Sequence, residues 1–402
     1  MKIAVAVLFG GKSVEHEISV ISAVQAMGHL DREKYDLIPI YITKTGKMYT
    51  GECLTKIESF RNISAMLKNC KQVLMTNQED RCVLVPYPMT FGYKRKIRTI
   101  DVAMPIVHGT NVEDGALQGF LKTLGVPFVG CDVLSSAIGM DKYVMKLVFK
   151  AAGIPVLDCR CFMKSEYYAN EDGLVEEIEK TFTYPVIIKP VNLGSSVGIS
   201  MAGDRAKLLK ALDEAFRYAP KVLVERGITE LREINCSVLG DVYEAEASEC
   251  EEPLNAGEIL SYQDKYMSGG KSAKGAKQSS QGMASLARKI PADLTPELRE
   301  TIRTMAVKGF QALGCCGVSR IDFMIDKSNG QVYLNEINTI PGSLSFYLWE
   351  PLGVSYKQML DRMIKLALKR AREEEELSFS FDIGVLETAN IGGAKGAKGA
   401  KM

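Results

Sequence analysis

The sequence predicts an α/β protein that turns α+β toward its C-terminal part, and three observations carry that reading. Short apolar runs alternate with helix-period segments through residues 1–130, the pattern of βαβ units. Near residue 190 a strand runs directly into a glycine-rich loop. Beyond residue 229, strand-like stretches gather around one helix instead of alternating with several.

The opening KIAVAVLF is a short apolar run closed by Gly10–Gly11, and it reads as a buried parallel strand. A helix from Ser13 to His29 follows, then a strand at Tyr35–Tyr41, a turn at Lys44–Gly46 and a strand at Val102–Val107. Helix 113–124 and the short strand Val126–Val129 complete an open, mostly parallel sheet in a first domain, 1–130. Asp141–Ala152 is a helix stopped by Gly153-Ile154-Pro155. With strand Tyr184–Lys189, the loop Asn192–Gly198, helix 204–218 and strand Lys221–Glu225, it makes a smaller second domain, 131–228. The third domain, 229–380, holds strands Ile234–Leu239, Ser319–Ile325 and Gln331–Asn335 with helix Pro296–Leu313. It closes on a long amphipathic helix from Ser355 to about Glu376.

Residues 381–402 read as a tail ending GGAKGAKGAKM, and a related string, GGKSAKGAK, stands at 269–277. Such Gly/Ala/Lys runs bury too little apolar surface to offset ordering entropy, so both are expected to be mobile. They are solvated basic segments, or contacts for an anionic partner.

Composition narrows the function. Fifty basic against 49 acidic residues leave a net charge of +1, so the global balance calls for neither nucleic acid nor membrane. No stretch reaches the ~20 apolar residues that span a bilayer, and the N-terminal run lacks a signal peptide's cleavage site. A cytoplasmic protein is expected. Ten cysteines are scattered without paired spacing, and with three histidines (His16, His29, His108) they form no zinc pattern. Reduced, buried thiols fit that usage.

GGKS at 10–13 and again at 269–272 imitates the end of a P-loop, but Ala6 and Lys265 stand where the motif needs its first glycine. The G-x-G-x-x-G fingerprint is also missing after the first strand, which argues against a nicotinamide enzyme. Ser319-Arg320-Ile321-Asp322 and Leu334-Asn335-Glu336-Ile337-Asn338 flank a turn at Ser328-Asn329-Gly330. Period-two alternation puts Arg320 with Asp322, and Glu336 with Asn338, on one face of each strand. Pairing the strands gathers two carboxylates, an amide and a guanidinium, a set that suits Mg²⁺ and phosphoryl transfer. The plainer reading is a surface hairpin with a cross-strand salt bridge. The strand Ile187-Ile188-Lys189-Pro190 then matters, because Gly194-Ser195-Ser196-Val197-Gly198 follows at once. Small residues let backbone N–H groups approach phosphate while the lysine adds a point charge. Val222-Leu223-Val224-Glu225 is a strand ending in a carboxylate, and Glu233 comes soon after.

That order of parts resembles the ATP-grasp superfamily and, over residues 1–370, the D-alanine–D-alanine ligases. Gly10-Gly11-Lys12-Ser13-Val14-Glu15-His16-Glu17-Ile18-Ser19 resembles that family's first substrate loop. His108-Gly109 through Glu113-Asp114-Gly115 is similar to its second signature, and Asn335-Glu336-Ile337-Asn338-Thr339-Ile340-Pro341-Gly342 to its most recognisable block. The resemblance implies an ATP-grasp fold with an N-terminal parallel-sheet domain and ATP between the second and third domains.

It also implies roles. Lys142, Lys189 and Ser196 would hold ATP phosphates, and Glu225 and Glu233 the adenine side and ribose. Asp322, Glu336 and Asn338 would carry two Mg²⁺ ions, with Mn²⁺ able to replace them. Glu17 would bind the first D-alanine's ammonium, with His108 in the same substrate site. Arg320 and the Gly342 N–H would stabilise the tetrahedral oxyanion. Ser261-Tyr262-Gln263-Asp264-Lys265-Tyr266 resembles the start of the family's ω-shaped lid. Tyr266 would reach Ser195 and Glu17, and Lys265 the incoming carboxylate, near Ser345 and Tyr347. The implied reaction phosphorylates one D-amino acid's carboxylate with ATP and lets a second amine attack the acyl-phosphate, for peptidoglycan precursor synthesis. Relatives are homodimers, so a homodimer is expected.

Two departures stand out. The segment Tyr266–Pro291 is longer than the family's usual lid, and Tyr347 replaces a serine that binds the acceptor's carboxylate. The alternatives are therefore a ligase with another acceptor, such as D-serine, or a nucleotide-binding regulator without turnover. The intact Arg320, Asp322, Glu336, Asn338 set argues against the regulator, since binding alone needs no transition-state apparatus.

Overall fold

The computed structural model describes residues 2–79, 81–194, 196–254 and 288–378. Ser195, Lys265, Tyr266, the 269–277 string and the 381–402 tail, singled out above, lie outside the described residues. Among the described residues, three sheets organise the chain.

The first sheet starts with β1 (Ile3–Gly10), helix α1 (His16–His29) and β2 (Tyr35–Ile42). The chain then adds β3 (Met48–Thr50), α2 (Ile63–Lys68), β4 (Lys71–Gln78), β5 (Arg81–Pro86) and β6 (Arg98–Thr99) before β7 (Val102–Ile106). Strand order is β6-β5-β4-β3-β2-β1-β7. β1 pairs in parallel with β2 and with β7, as the apolar runs require of strands covered on both faces. The β3–β6 meander was not foreseen and pairs antiparallel throughout, so the sheet is parallel at its heart and antiparallel along one flank. Val126–Val129 contributes an isolated bridge, Phe128 to Ala103, instead of a strand, because Pro127 has no N–H to extend the ladder. Helix α3 (Ala116–Thr123) precedes it.

Helices α4 (Val133–Met140) and α5 (Lys142–Ala151) lead into β8 (Cys159–Met163). Asp141 caps α5 by accepting the Tyr143 and Val144 N–H groups. Helices α6 (Lys164–Ala169) and α7 (Glu171–Thr181), strands β9 (Val186–Pro190) and β10 (Ser200–Ala202), helix α8 (Arg205–Tyr218) and β11 (Lys221–Arg226) follow. Their antiparallel sheet, β10-β9-β11-β8, closes a core of its own around Phe162, Tyr167, Ile188, Leu212 and Phe216.

The third sheet has β12 (Leu231–Gly240), β13 (Ala245–Pro253), β14 (Arg288–Lys289), β15 (Gly317–Asp326) and β16 (Gln331–Asn338), in the order β14-β13-β12-β15-β16. Helix α9 (Pro296–Ala312) covers it together with Met145 and Phe149 of α5. Helix α10 (Tyr356–Glu375) starts from a Ser355–Gln358 capping box. Its apolar stripe, Met359, Leu360, Met363 and Ile364, joins Trp349 and the first sheet in one continuous core. The first and third sheets are thus fused through packing, whereas the second is cored separately. All ten cysteines are free thiols, as expected.

Candidate active site

The turn between β15 and β16 is set by Asp326, whose carbonyl accepts the Gly330 N–H at 2.7 Å. Pairing from that turn places Arg320 opposite Asn338 and Asp322 opposite Glu336, the patch expected from period two. A bulge between Asp322 and Phe323 leaves Asn335 as the extra residue. Asn335 Oδ1 accepts from Lys189 Nζ at 3.2 Å.

The row continues further than the sequence suggested. Asp322 also faces Asn235 of β12, and Asn235 faces Glu251 of β13. Directly paired residues share a face, so Glu336, Asp322, Asn235 and Glu251 form one line across four strands. Arg320 grips Asp322 with two parallel bonds, Nε to Oδ1 and Nη2 to Oδ2, both 2.7 Å. Asn338 Nδ2 adds a third at 3.2 Å. Burial nevertheless raises the Asp322 carboxyl above its ordinary range, and the charges of Glu336 and Glu251 push the same way.

Lysines converge from the second sheet and α5. Lys142 Nζ lies 3.1 Å from Glu336 Oε2 and 2.9 Å from the Leu193 carbonyl. Lys146, one helical turn on, puts Nζ 2.7 Å from Glu225 Oε2, and Lys189 pairs with Oε1 of the same carboxylate. Burial alone would raise Glu225, but the two lysines hold it down at about 2. Glu233 stands opposite Met324, which packs with Leu157 and Ile228 in a small apolar cluster. Ser196 sits in the glycine-rich loop at φ +60°. A side chain on Gly198 would press against Pro190 and Tyr218 at 2.8 and 2.9 Å, so the loop can turn this tightly only with glycine there.

The segment after β16 is held from the first sheet. Glu113 accepts the Ile340 N–H at 2.9 Å, the Thr339 hydroxyl at 3.3 Å and the Gly109 N–H at 2.9 Å. Burial pushes its carboxyl up to about 8. His108 donates from Nδ1 to the Ile340 carbonyl at 2.8 Å, which leaves Nε2 as acceptor for the Ser22 hydroxyl at 3.0 Å. Burial pushes the ring down to about 4, consistent with that neutral tautomer. Ser22 Oγ in turn accepts the Ser343 N–H at 2.9 Å. Gly342 is therefore pinned on both sides. Beyond it Ser343, Leu344 and Ser345 all adopt left-handed backbone (φ 53°, 50° and 49°), a run that costs L-residues energy and persists only when fixed from outside. The hydroxyls of Ser343 and Ser345 are buried without a hydrogen-bond partner.

Among the expected residues, Arg320, Asp322, Glu336, Asn338, Lys142, Lys189 and Glu225 are brought together. Tyr347 is buried beside them, its ring 4.1 Å beneath the Arg288 guanidinium. Glu17 is not brought to this group: its side chain is 60% exposed and pairs with Lys44 at 2.8 Å. Glu113 was quoted within the second signature but given no role, and Lys146, Ser22, Asn235, Glu251 and Arg288 were missed. Lys146 had a signal, helical spacing from Lys142; the others depend on contacts between distant segments.

Residues 4–131 match the family model described as D-ala D-ala ligase N-terminus, and residues 148–365 the one described as D-ala D-ala ligase C-terminus. The D-alanine–D-alanine ligase of Caldicellulosiruptor bescii is 40% identical over 389 residues, covering 94% of this chain and 99% of that protein. The one from Bacillus cytotoxicus is 36% identical over 385 residues, with 94% and 99% covered. Among solved structures, the D-alanine-D-alanine ligase from Coxiella burnetii matches with a TM-score of 0.76 at 30% identity, covering 93% of this chain and 96% of that one. The VanG D-Ala:D-Ser ligase from Enterococcus faecalis gives 0.75 at 34%, covering 91% and 100%. With both halves matched in order and a shared architecture, the chain belongs to the D-alanine–D-alanine ligase family and has its ATP-grasp fold.

Proposed function

We propose that this chain is an ATP-dependent ligase that joins two D-amino acids, D-alanine first, through an acyl-phosphate. The observation that carries the reading is the Glu336–Asp322 row with Arg320 upon it and Lys142 and Lys189 alongside. In this reading Lys142, Lys189 and Ser196 bind phosphates. Glu225 and Glu233 take the adenine side and ribose against the Leu157, Ile228, Met324 cluster. Arg320 and the Gly342 N–H meet the charge that develops on the attacked carbonyl; losing one such donor typically costs about 10²–10³ in rate. For that, Arg320 must turn part of its fork from Asp322 toward substrate.

The donor set also fits Mg²⁺. Two carboxylates and an amide on one face supply hard oxygens. Asp322, Glu336 and Asn338 would hold two Mg²⁺, which neutralise phosphate charge when bound. Glu17 and His108 serve the first amino acid, Glu17 as ligand and His108 by fixing the Gly342 loop. Ser195, Lys265 and Tyr266 keep their expected parts in closing the site, and Ser345 and Tyr347 border the acceptor. Domains of 1–130, 131–228 and 229–380, a homodimer, a cytoplasmic location and a role in peptidoglycan precursor synthesis complete the proposal. No helix among the described residues is long and apolar enough to cross a membrane.

The test is phosphate release with Mg²⁺-ATP and a panel of D- and L-amino acids, with dipeptide identified by mass. Amino-acid-dependent phosphate release with a dipeptide product is expected. ATP binding without turnover on any amino acid would overturn it.

A further inference from the structure

The reaction proposed above uses no thiol, yet two cysteines are placed for chemistry with each other. Cys53 Sγ lies 3.3 Å from Cys70 Sγ, although the residues are 17 positions apart in sequence. Cys53 stands in the 3-10 turn Glu52–Thr55, and Cys70 lies between α2 and β4. Both are half-buried, so a small dissolved reagent can reach them. A side chain at Gly51 would meet Cys70 Sγ at 3.3 Å and its Cα at 3.4 Å, so glycine lets the turn lie against Cys70. Other thiols also meet: Cys236 faces Cys250 across β12 and β13, and Cys131 lies against Cys315. Those four are fully buried and closed to dissolved reagents. In the cytoplasmic setting proposed above, the disulfides that do form are transient and respond to oxidants.

The segment between the two cysteines supports α1 and the loop before it. Leu54 is buried, and its turn packs on α1 and β2. Phe60, in the next 3-10 turn (Ile57–Asn62), meets Phe9 and Tyr41 edge-on with ring centroids 5.9 and 5.4 Å apart. Tyr41 shares a 3.0 Å hydrogen bond with His16 Nε2, and His16 Nδ1 donates to the Gly11 carbonyl at 2.7 Å. Helix α1 also carries Glu17 and Ser22, and Ser22 holds the Ser343 N–H. A disulfide would bring the sulfurs from 3.3 Å to about 2.05 Å, a closure of about 1.2 Å. Side-chain rotation supplies part of that movement, and the turn around Leu54 must supply the rest, pulling on α1.

We propose that Cys53 and Cys70 are a reversible modification site, oxidised to a disulfide by small disulfides, and that the bond weakens the first amino acid's site through α1. The second half of the proposal rests on the ligase reading above. The Cys53 thiolate attacks one sulfur of the reagent, forming a mixed disulfide and releasing one thiol. The Cys70 sulfur then displaces the other half of the reagent and closes the Cys53–Cys70 bond. Two thiols are oxidised, one reagent disulfide is reduced to two thiols, and the two protons leave on those thiols. Burial and the neighbouring Cys53 sulfur push Cys70 up to about 12, which suits it to the second attack and not the first.

The experiment treats the full chain with oxidised glutathione, returns half of the sample to dithiothreitol, and maps alkylated peptides by mass. A peptide linked through Cys53 and Cys70 should form and then vanish on reduction, with Cys131, Cys236, Cys250 and Cys315 unreacted. Cys70→Ser should instead hold glutathione on Cys53, and Cys53→Ser should leave Cys70 about tenfold less modified. In the oxidised chain, amide hydrogen exchange should slow across residues 53–70 and quicken from Gly11 to Glu17. Its kcat/KM for D-alanine should fall about tenfold while KM for ATP holds. Both serine variants should keep the activity of the reduced chain and lose its response to glutathione. Absence of the linked peptide, or a linked chain with turnover or exchange unchanged, overturns the proposal. A linked chain that exchanges differently but releases no phosphate in either state sustains the thiol pair and its reach to α1, and defeats the ligase reading instead.

Discussion

Lys146→Met isolates the buried charge cluster around Glu225. Methionine keeps most of the stem's volume, so the main loss is a cation 2.7 Å from Glu225, in a pair whose side chains are 3% and 1% exposed. Removing one partner of a buried pair costs about 3–5 kcal/mol, because the other charge stays behind. The carboxylate gives a second route to the number. Its fall from 4.5 to about 2 is worth roughly 3 kcal/mol at 1.36 kcal/mol per pH unit, shared between Lys146 and Lys189. A destabilisation of about 3 kcal/mol at pH 7 is the expected outcome. Glu225 is a depressed carboxylate, so the stability it lends is present above pH 4.5 and lost as pH falls through about 2. The difference between the two proteins should therefore be full at pH 7 and shrink toward pH 3. Urea unfolding followed by circular dichroism at both pH values measures it. Equal midpoints at pH 7, or a gap that persists unchanged at pH 3, would refute the assignment of Lys146 as the stabilising partner.

Three further outcomes are expected. Asp322→Asn and Glu336→Gln should each lower turnover by about 100-fold or more, read by phosphate release, with the circular-dichroism spectrum of the folded chain retained. Glu113→Ala removes the acceptor of the Gly109 and Ile340 N–H groups, so kcat should drop about tenfold or more while KM for ATP holds; steady-state kinetics decides. His108, held near 4 by burial, lends stability that is present above pH 6.5 and lost as pH falls toward 4, roughly 3 kcal/mol. His108→Leu should flatten that limb of the stability–pH profile.

The β15–β16 hairpin was legible because a strand's period is fixed and its turn announces itself: Arg320, Asp322, Glu336 and Asn338 could be placed on one face from spacing alone. The glycine-rich loop was legible for a similar reason, since Gly198 is the residue a tight turn requires. The β3–β6 meander was not. β3 and β6 are only three and two residues long and β4 mixes Lys, Gln, Thr and Asn with its apolar residues, whereas the buried run Cys82–Val85 of β5 was a signal passed over. Nor could local pattern show that Glu113 meets Ile340, or that Ser22 meets Ser343. Those bonds join residues more than 200 positions apart, and only the fused first and third cores bring them together. The row from Glu336 to Glu251 was half visible: the β15–β16 pair was read from its turn, and β12 and β13, themselves consecutive, join it only through the β12–β15 register.

The clamp on the Gly342 loop has a consequence for exchanging parts between relatives. A chimera cut near residue 130 looks modular, yet Ser22, His108 and Glu113 travel with the first piece while the backbone they orient travels with the second. A transplanted N-terminal piece lacking compatible residues at those three places would leave the oxyanion-side N–H free to wander, although every group named for phosphate or metal came from the other parent. Grafting by seam is therefore the wrong rule here. A working hybrid must inherit the hydrogen bonds that cross the seam.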